Sequence, residues 1–321
     1  MKKRIYSAIL MVIVLALLFV LKIYVSDYFF DVMFAALACI GGFEMSRLIS
    51  KIGLYNSAVV ATGFPALLFA GNLIGINFAA KTGNLYWIIY TLLIDIAFMA
   101  FGVVLAFCLC FFRRKGVVEN EMAVRQITGV SAFKFSVKKA LNTLLTFVYP
   151  SFIFLLFIFL NHLNELPFAK LDSITSNVSV FAILTALLIP MITDTFAMLT
   201  GSVIGGKKLC PKISPKKTIS GAVGGTLWCV LVCACIYLIF ANILSFETMI
   251  SVFPLWAYLL IVLFGSVISQ CGDLFESIIK RRAGVKDSGK FLPGHGGLLD
   301  RVDSHIFMAP YIFLTFMFVF I

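Results

Sequence analysis

The sequence carries little charge for its length. Only 13% of its 321 residues are Asp, Glu, Lys or Arg, whereas soluble proteins average about 25%. Hydrophobic residues make up 61% of the chain, and the mean hydropathy is +1.05. This leaves too little polar surface to cover a water-soluble body of this size. The composition therefore predicts a protein whose main solvent is the lipid bilayer.

Several catalytic and metal-binding patterns are missing from the chain. It has no GxxxxGK[ST], HExxH or GxSxG sequence and no strand-bounded GxGxxG, which argues against ATP-driven pumps, zinc proteases and serine hydrolases. The eight cysteines form no paired CxxC with histidine partners, so we expect no zinc site. Only three histidines occur, and of these only His295 lies among other candidate site residues.

Nine apolar runs are each long enough to cross a hydrocarbon core, which needs about 20 residues. The first run follows Lys2, Lys3 and Arg4, as in a signal peptide. It is longer than the usual signal-peptide core of about 7–15 residues, however, and no small-x-small cleavage site follows it. We therefore interpret it as an uncleaved span. The predicted spans are 5–25, 28–49, 55–79, 85–112, 138–160, 175–204, 219–242, 250–279 and 303–321.

The loops between these runs test the number of spans. With nine spans, all but three of the 26 basic residues fall on the same side as the N-terminus. The exceptions are Lys22, Lys81 and Lys170. Basic residues accumulate in cytosolic loops. We therefore predict an all-α polytopic membrane protein with about nine transmembrane helices, a cytosolic N-terminus and a C-terminus outside.

We divide the chain into two regions. Residues 1–137 form an N-terminal transmembrane region of four spans plus a basic cytosolic connection. Residues 138–321 form a C-terminal transmembrane region that carries the candidate catalytic residues. The connection, about 113–137, is interpreted as an interfacial helix or a flexible link, and we assign no chemistry to it.

Five acidic residues lie inside predicted spans, where an ionisable side chain is costly and is a functional candidate by default. They are Glu44, Asp95, Asp194, Asp273 and Glu276. Asp273, Glu276 and Ser277 have the spacing of one helical face. A purely structural alternative pairs these acids with Lys280 and Arg281 at the end of the same helix.

A lysine-rich segment lies between two spans. Residues 205–217 read GGKKLCPKISPKK, with five lysines around Ser214. Lysine is a compact charge suited to phosphate oxygens. Lys212, Lys216 and Lys217 are therefore candidates for binding a phosphate-bearing substrate. The alternative is a loop whose charge only fixes the topology.

A second segment mixes carboxylates with cations. Residues 280–303 read KRRAGVKDSGKFLPGHGGLLDRVD. The candidate ligands in it are Asp287, Asp300 and Asp303, and the candidate phosphate-binding cations are Lys286 and Arg301. Magnesium is typically held by one or two carboxylates plus substrate phosphates. The pattern favours phosphoryl or nucleotidyl transfer at the membrane surface, although a solvated loop would have a similar composition.

At these residues the sequence resembles the phosphatidate cytidylyltransferase (CDP-diacylglycerol synthase) family. The matching positions are Ser277-x-x-Lys280-Arg281, Lys286-Asp287 and His295-Gly296-Gly297-x-x-Asp300-Arg301-x-Asp303. Upstream, Asp194 and the segment 212–218 also match, and Glu44 corresponds to a glutamate in the second span of the family. The resemblance covers about residues 190–310.

The resemblance implies a nucleotidyltransferase of phospholipid biosynthesis that converts CTP and phosphatidate to CDP-diacylglycerol and pyrophosphate. It implies Mg2+, with room for a second cation such as K+, and a homodimer. The implied catalytic residues are Asp273, Asp287, Asp300 and Asp303, of which Asp273, Asp287 and Asp300 would also bind metal. The implied substrate-binding residues are Ser214, Lys212, Lys216, Lys217, Ser277, Lys280, Arg281, Lys286, His295, Arg301 and Asp194.

The chain departs from the family pattern at two positions. Met198 stands where a tyrosine is usual, and Ser202 stands where a basic residue is usual. These departures leave open a CTP-dependent enzyme acting on another lipid phosphate, such as a polyprenol or ether-lipid phosphate. A secondary transporter that uses Asp194 and Asp273 for coupling is a third hypothesis. We expect a multi-pass plasma-membrane protein with its active site facing the cytosol and no nucleic-acid partner.

Overall fold

The computed structural model describes residues 2–84, 86–112, 122, 131–166, 178–243, 254–289, 291 and 296–320. Within this part of the chain, eight helical segments are long and apolar enough to cross a membrane. The all-α polytopic fold is therefore confirmed, while the orientation of the termini stays a prediction. Most of the basic connection, residues 113–121 and 123–130, lies outside the described residues.

The first four helices occupy the first four predicted spans. They are α1 (Lys2–Tyr24), α2 (Tyr28–Lys51), α3 (Ala58–Thr82) and α4 (Tyr86–Phe111). Helix α3 packs between α2 and α4. A Cβ atom added at Gly75 of α3 would lie 1.8 Å from Oγ1 of Thr91 in α4, so these two helices need a glycine to approach this closely.

The fifth predicted span, 138–160, is broken and begins earlier than predicted. It consists of α5 (Ala132–Thr146), a π-helical segment (Phe147–Phe152) and α6 (Ile153–Asn161). Tyr149 has extended backbone angles, with φ −121° and ψ 122°, and the adjacent Pro150 cannot donate a helical hydrogen bond. The Tyr149 ring packs with its centroid 5.0 Å from that of Phe275 and 6.1 Å from that of Phe307. The break thus packs against the later segments of the C-terminal region that contain Phe275 and Phe307.

In the described residues after 166, four long helices follow. They are α7 (Val178–Ile204), α8 (Ile219–Ile243), α9 (Leu255–Arg282) and α10 (Leu299–Phe320). A Cβ atom at Gly225 of α8 would lie 2.7 Å from the carbonyl oxygen of Thr193 in α7. A Cβ atom at Gly272 of α9 would lie 2.9 Å from the carbonyl oxygen of Asp303 in α10. Both helix pairs therefore approach to backbone distance, and the second contact brings the acidic residues of α9 and α10 together.

The lysine-rich segment forms a hairpin that the sequence did not predict. Strands β1 (Lys208–Cys210) and β2 (Ser214–Thr218) pair antiparallel, with Lys208 opposite Thr218 and Cys210 opposite Ser214. Arg281, at the end of α9, donates from Nε to the carbonyl oxygen of Ile213 at 3.0 Å. This bond fastens the tip of the hairpin to the helix that carries Asp273.

A buried polar network joins the ends of α1, α2 and α6. Lys22 donates to the side-chain and backbone oxygens of Asn161, at 2.8 and 3.0 Å. The imidazole of His162 lies between Asp31, whose Oδ2 is 2.7 Å from Nε2, and Glu165, whose Oε1 is 2.9 Å from Nδ1. Lys22 also pairs with Asp27. Each of these charges thus has a partner of opposite sign, and the network ties the first two helices to α6.

The charge of His162 is expected to make stability fall at alkaline pH. Burial lowers the pKa of His162, but the bonds to Asp31 and Glu165 outweigh burial and raise it from 6.5 to about 9. A raised pKa contributes stability that is complete below the unfolded value and is lost as the pH rises through the folded value. The melting temperature in detergent should therefore fall between pH 7 and 10. His162→Gln should flatten this part of the profile, and identical profiles for both proteins would contradict the assignment.

Candidate active site

A cavity of about 740 Å³ lies where α7 and α9 end and where α8 and α10 begin. The hairpin and the segment between α9 and α10 form the rest of its wall. Most of the predicted site residues line it: Asp194, Lys216, Lys217, Asp273, Ser277, Lys280, Arg281, Lys286, Asp287, Asp300, Arg301 and Asp303. Residues that are distant in sequence therefore meet in one place.

Two of the predicted residues that the structure describes do not line this cavity. Lys212 and Ser214 belong to the hairpin but are not among the residues that line the cavity. Lys212 is exposed in the turn between the two strands, and Ser214 begins the second strand. His295 lies outside the described residues.

Three carboxylates gather where α9 and α10 cross. The helical period turns Asp273, Glu276 and Lys280 of α9 toward the same side. The side chain of Glu276 is 0% exposed, and its Oε1 lies 3.1 Å from Nζ of Lys280. Apart from this ion pair, neither carboxylate oxygen of Glu276 has a hydrogen-bond partner among the described residues. Asp303 lies close enough to Asp273 and Glu276 to repel both electrostatically.

Two lysines form ion pairs with acids of the site. Lys217 of the hairpin pairs with Oδ2 of Asp273. Lys280 donates to Oδ1 of Asp300 at 2.7 Å as well as pairing with Glu276. The structural alternative raised by the sequence is therefore present for Glu276 and Lys280. It does not describe Arg281, which bonds to the hairpin backbone.

Asp300 organises the segment between α9 and α10. Its Oδ2 accepts from the backbone N–H groups of Ser288 and Gly297, each at 2.8 Å, while Oδ1 accepts from Lys280. Gly296 has a φ of +87°, a conformation that L side chains rarely adopt. A Cβ atom there would also lie 2.7 Å from Oδ2 of Asp300. The glycine is required for the backbone to wrap this closely around the carboxylate.

Sequence reasoning missed some residues of the site. Glu276 was recognised as an intramembrane acid but was not assigned to the site, although its spacing from Asp273 and Lys280 was the available signal. Gln270 lines the cavity one turn before Asp273. Met198 and Ser202, the two departures from the family pattern, also line it. These two departures therefore alter the side chains that line the cavity.

The donor set fits a hard divalent cation. The cavity is lined by carboxylates from three helices and one loop, and no Cys or His occurs among the described residues that line it. Oxygen-only donors suit Mg2+, whereas Cys and His donors suit zinc or copper.

A bundle of membrane-length helices with carboxylates and lysines around one cavity defines a membrane-embedded protein with a site suited to phosphates and a divalent cation. The chain belongs to the cytidylyltransferase family, whose model matches residues 2–320.

Curated proteins named phosphatidate cytidylyltransferase are similar to this chain. The Staphylococcus saprophyticus protein is 46% identical over 128 residues, which is 40% of this chain and 46% of that protein. A Staphylococcus aureus protein is 47% identical over 128 residues, with the same coverage of 40% and 46%. The Staphylococcus epidermidis protein is 37% identical over 196 residues, covering 61% of this chain and 66% of that protein. The alignments thus span between about half and two thirds of these relatives.

Proposed function

We propose that this protein is a phosphatidate cytidylyltransferase, which converts CTP and phosphatidate to CDP-diacylglycerol and pyrophosphate. The observation that carries the proposal is that most of the signature residues in the described part of the chain line one cavity together with Asp194, Asp273 and Lys217. The cavity lies at the ends of membrane-length helices, where a lipid phosphate and a water-soluble nucleotide would meet. The names of the similar staphylococcal proteins support the choice of substrates.

The reaction requires that the lipid phosphate and CTP are positioned next to each other and that their negative charges are neutralised. A phosphate oxygen of the lipid attacks the α-phosphorus of CTP and forms a new P–O bond. The bond from the α-phosphorus to the bridging oxygen breaks, and pyrophosphate leaves with the electron pair. Such reactions need little covalent chemistry from the protein. The cavity wall offers cations to the phosphate oxygens: Lys208, Lys216, Lys286 and Arg301.

The carboxylates would bind the metal in this proposal. Asp273, Asp287 and Asp300 would hold Mg2+, which when bound neutralises phosphate charge. Lys217 and Lys280 keep Asp273 and Asp300 in fixed positions through their ion pairs. A second cation such as K+ stays a prediction.

We also propose that the cavity faces the cytosol from a plasma membrane. CTP is a cytosolic nucleotide, and the basic hairpin and the cations of 280–286 lie beside the cavity, in agreement with the positive-inside pattern. Met198 of α7 lines the cavity and is 67% exposed, so we infer that the lipid enters past α7. The homodimer stays a prediction.

The test is release of pyrophosphate from CTP by the purified protein in detergent. We expect release only when both phosphatidate and Mg2+ are supplied. Parallel reactions with a polyprenol phosphate and an ether-lipid phosphate test the departures at Met198 and Ser202. Faster turnover of either lipid would change the assigned substrate, and the absence of turnover with every lipid phosphate would overturn the proposed reaction.

A further inference from the structure

A glutamate of the N-terminal half reaches the segment that carries the signature residues. Glu44 lies in α2 and is 4% exposed. Its Oε1 accepts from the backbone N–H of Leu298 at 3.0 Å. Its Oε2 accepts from the backbone N–H of Leu299 and from Oγ of Ser288, both at 2.9 Å. Both carboxylate oxygens are thus bonded to residues more than 240 positions away.

These bonds explain how a carboxylate can be buried at this position. A charged group removed from water is costly unless hydrogen bonds compensate it. Leu299 is the first residue of α10, so the N–H groups of Leu298 and Leu299 have no acceptor within the helix. Helix N-termini also carry partial positive charge that favours an anion. Glu44 therefore acts as a capping group supplied by another helix.

Two glycines of the signature segment make room for this carboxylate. A Cβ atom at Gly289 would lie 2.3 Å from Oε1 of Glu44. A Cβ atom at Gly297 would lie 2.5 Å from Oε2 of Glu44 and 2.0 Å from Oγ of Ser288. Real side-chain atoms do not approach this closely, so the backbone is packed directly onto Glu44.

Glu44 and Asp300 hold the same backbone from two sides. Asp300 binds the N–H groups of Ser288 and Gly297, and Glu44 binds the side chain of Ser288 and the next two N–H groups after Gly297. Asp287 immediately precedes Ser288. A shift of this segment would therefore move Asp287 and Asp300 together.

We propose that Glu44 is a positioning residue that sets the geometry of Asp287 and Asp300 without touching the substrates. This inference rests on the proposed function, because it assigns Glu44 to the same site. Residues that orient ligand side chains typically change metal affinity or activity by about 10–100-fold when they are replaced. A residue of the N-terminal half would thus determine the performance of a site built by the C-terminal half.

Glu44→Gln is the informative substitution. The amide keeps the size of the side chain, but its NH2 group must replace one acceptor oxygen and face a backbone N–H donor. We expect kcat for pyrophosphate release to fall about 10–100-fold and half-saturation by Mg2+ to need about tenfold more metal. The KM for CTP should change much less, because Glu44 lies outside the cavity wall. Ser288→Ala removes one of the three bonds without changing a span, and we expect a smaller change of the same kind.

Asp95→Asn is the matched control, since Asp95 is a buried acid of α4 that is bonded to Asn72, away from the cavity. It should leave kcat and the Mg2+ dependence unchanged.

Amide hydrogen exchange gives a readout that is independent of activity. In Glu44→Gln, a peptide covering 296–303 should exchange faster, while peptides from α7 keep their protection.

The outcomes separate this inference from the proposed function. Unchanged exchange at 296–303 in Glu44→Gln, or a wild-type kcat and Mg2+ dependence, would overturn the positioning role. Faster exchange in a protein that turns over no lipid phosphate would support the structural link and overturn the reaction. Equal loss of protection throughout α7 and 296–303 would indicate a general destabilisation and would also overturn the specific role.

Discussion

Asp300→Asn is expected to reduce turnover by on the order of 10³-fold, equivalent to about 4 kcal/mol of transition-state free energy, while the protein still inserts and folds. Both oxygens of Asp300 accept hydrogen bonds, two from backbone N–H groups at Oδ2 and one from Lys280 at Oδ1. An asparagine places its NH2 group against the backbone donors in one orientation and against the ammonium group in the other. In either orientation the NH2 group faces another donor, so the variant loses its hydrogen bonds either to the backbone N–H groups or to Lys280.

The measurement is Mg2+-dependent pyrophosphate release under saturating CTP and lipid. Gel filtration and the helical circular dichroism of the variant should match those of the parent protein, since the change is confined to one end of the bundle. Asp95→Asn serves again as a control, because it makes the same chemical change in a buried acid of another helix. Near-normal turnover by Asp300→Asn would remove Asp300 from the catalytic machinery.

The spacing of residues along single helices predicted much of the site. Asp273, Glu276 and Ser277 lie in α9 with the spacing of one helical face, and Asp300 and Asp303 lie in the first turns of α10. Local periodicity is sufficient here, because side chains three and four residues apart share a face whatever the rest of the fold does.

Contacts between segments that are distant in the sequence could not be predicted from helical spacing. The pairing of Lys217 with Asp273, and of Glu44 with Leu298, depends on how helices meet across the bundle. The hairpin was also missed. Its strands are short, and one contains Pro215 and two lysines, so no alternating apolar pattern distinguishes it from a loop. The break at Pro150 did have a local signal, since a proline inside a span cannot donate its helical bond.

Asp303→Asn is expected to stabilise the metal-free protein while lowering turnover by at least about 10²-fold, the scale of one missing charged group in a preorganised site. Asp303 is 8% exposed and lies near the like charges of Asp273 and Asp194, with Lys280 as the nearby cation. An asparagine removes this repulsion. Its amide oxygen can still accept from the backbone N–H of Ser304, which donates to Oδ1 of Asp303 at 2.7 Å.

The melting temperature therefore distinguishes a role of Asp303 in metal binding from a role in the fold. Without divalent metal, we expect the melting temperature of Asp303→Asn to rise by about 1–2 °C, the shift that roughly 1 kcal/mol produces in a chain of 321 residues with about 2.1 cal/mol/K of unfolding entropy per residue. Added Mg2+ should raise the melting temperature of the parent protein more than that of the variant, since the variant has less negative charge to neutralise. A lower melting temperature without metal, or an equal response to Mg2+, would mean that Asp303 supports the fold and does not contribute to a cluster of carboxylates built to receive a cation.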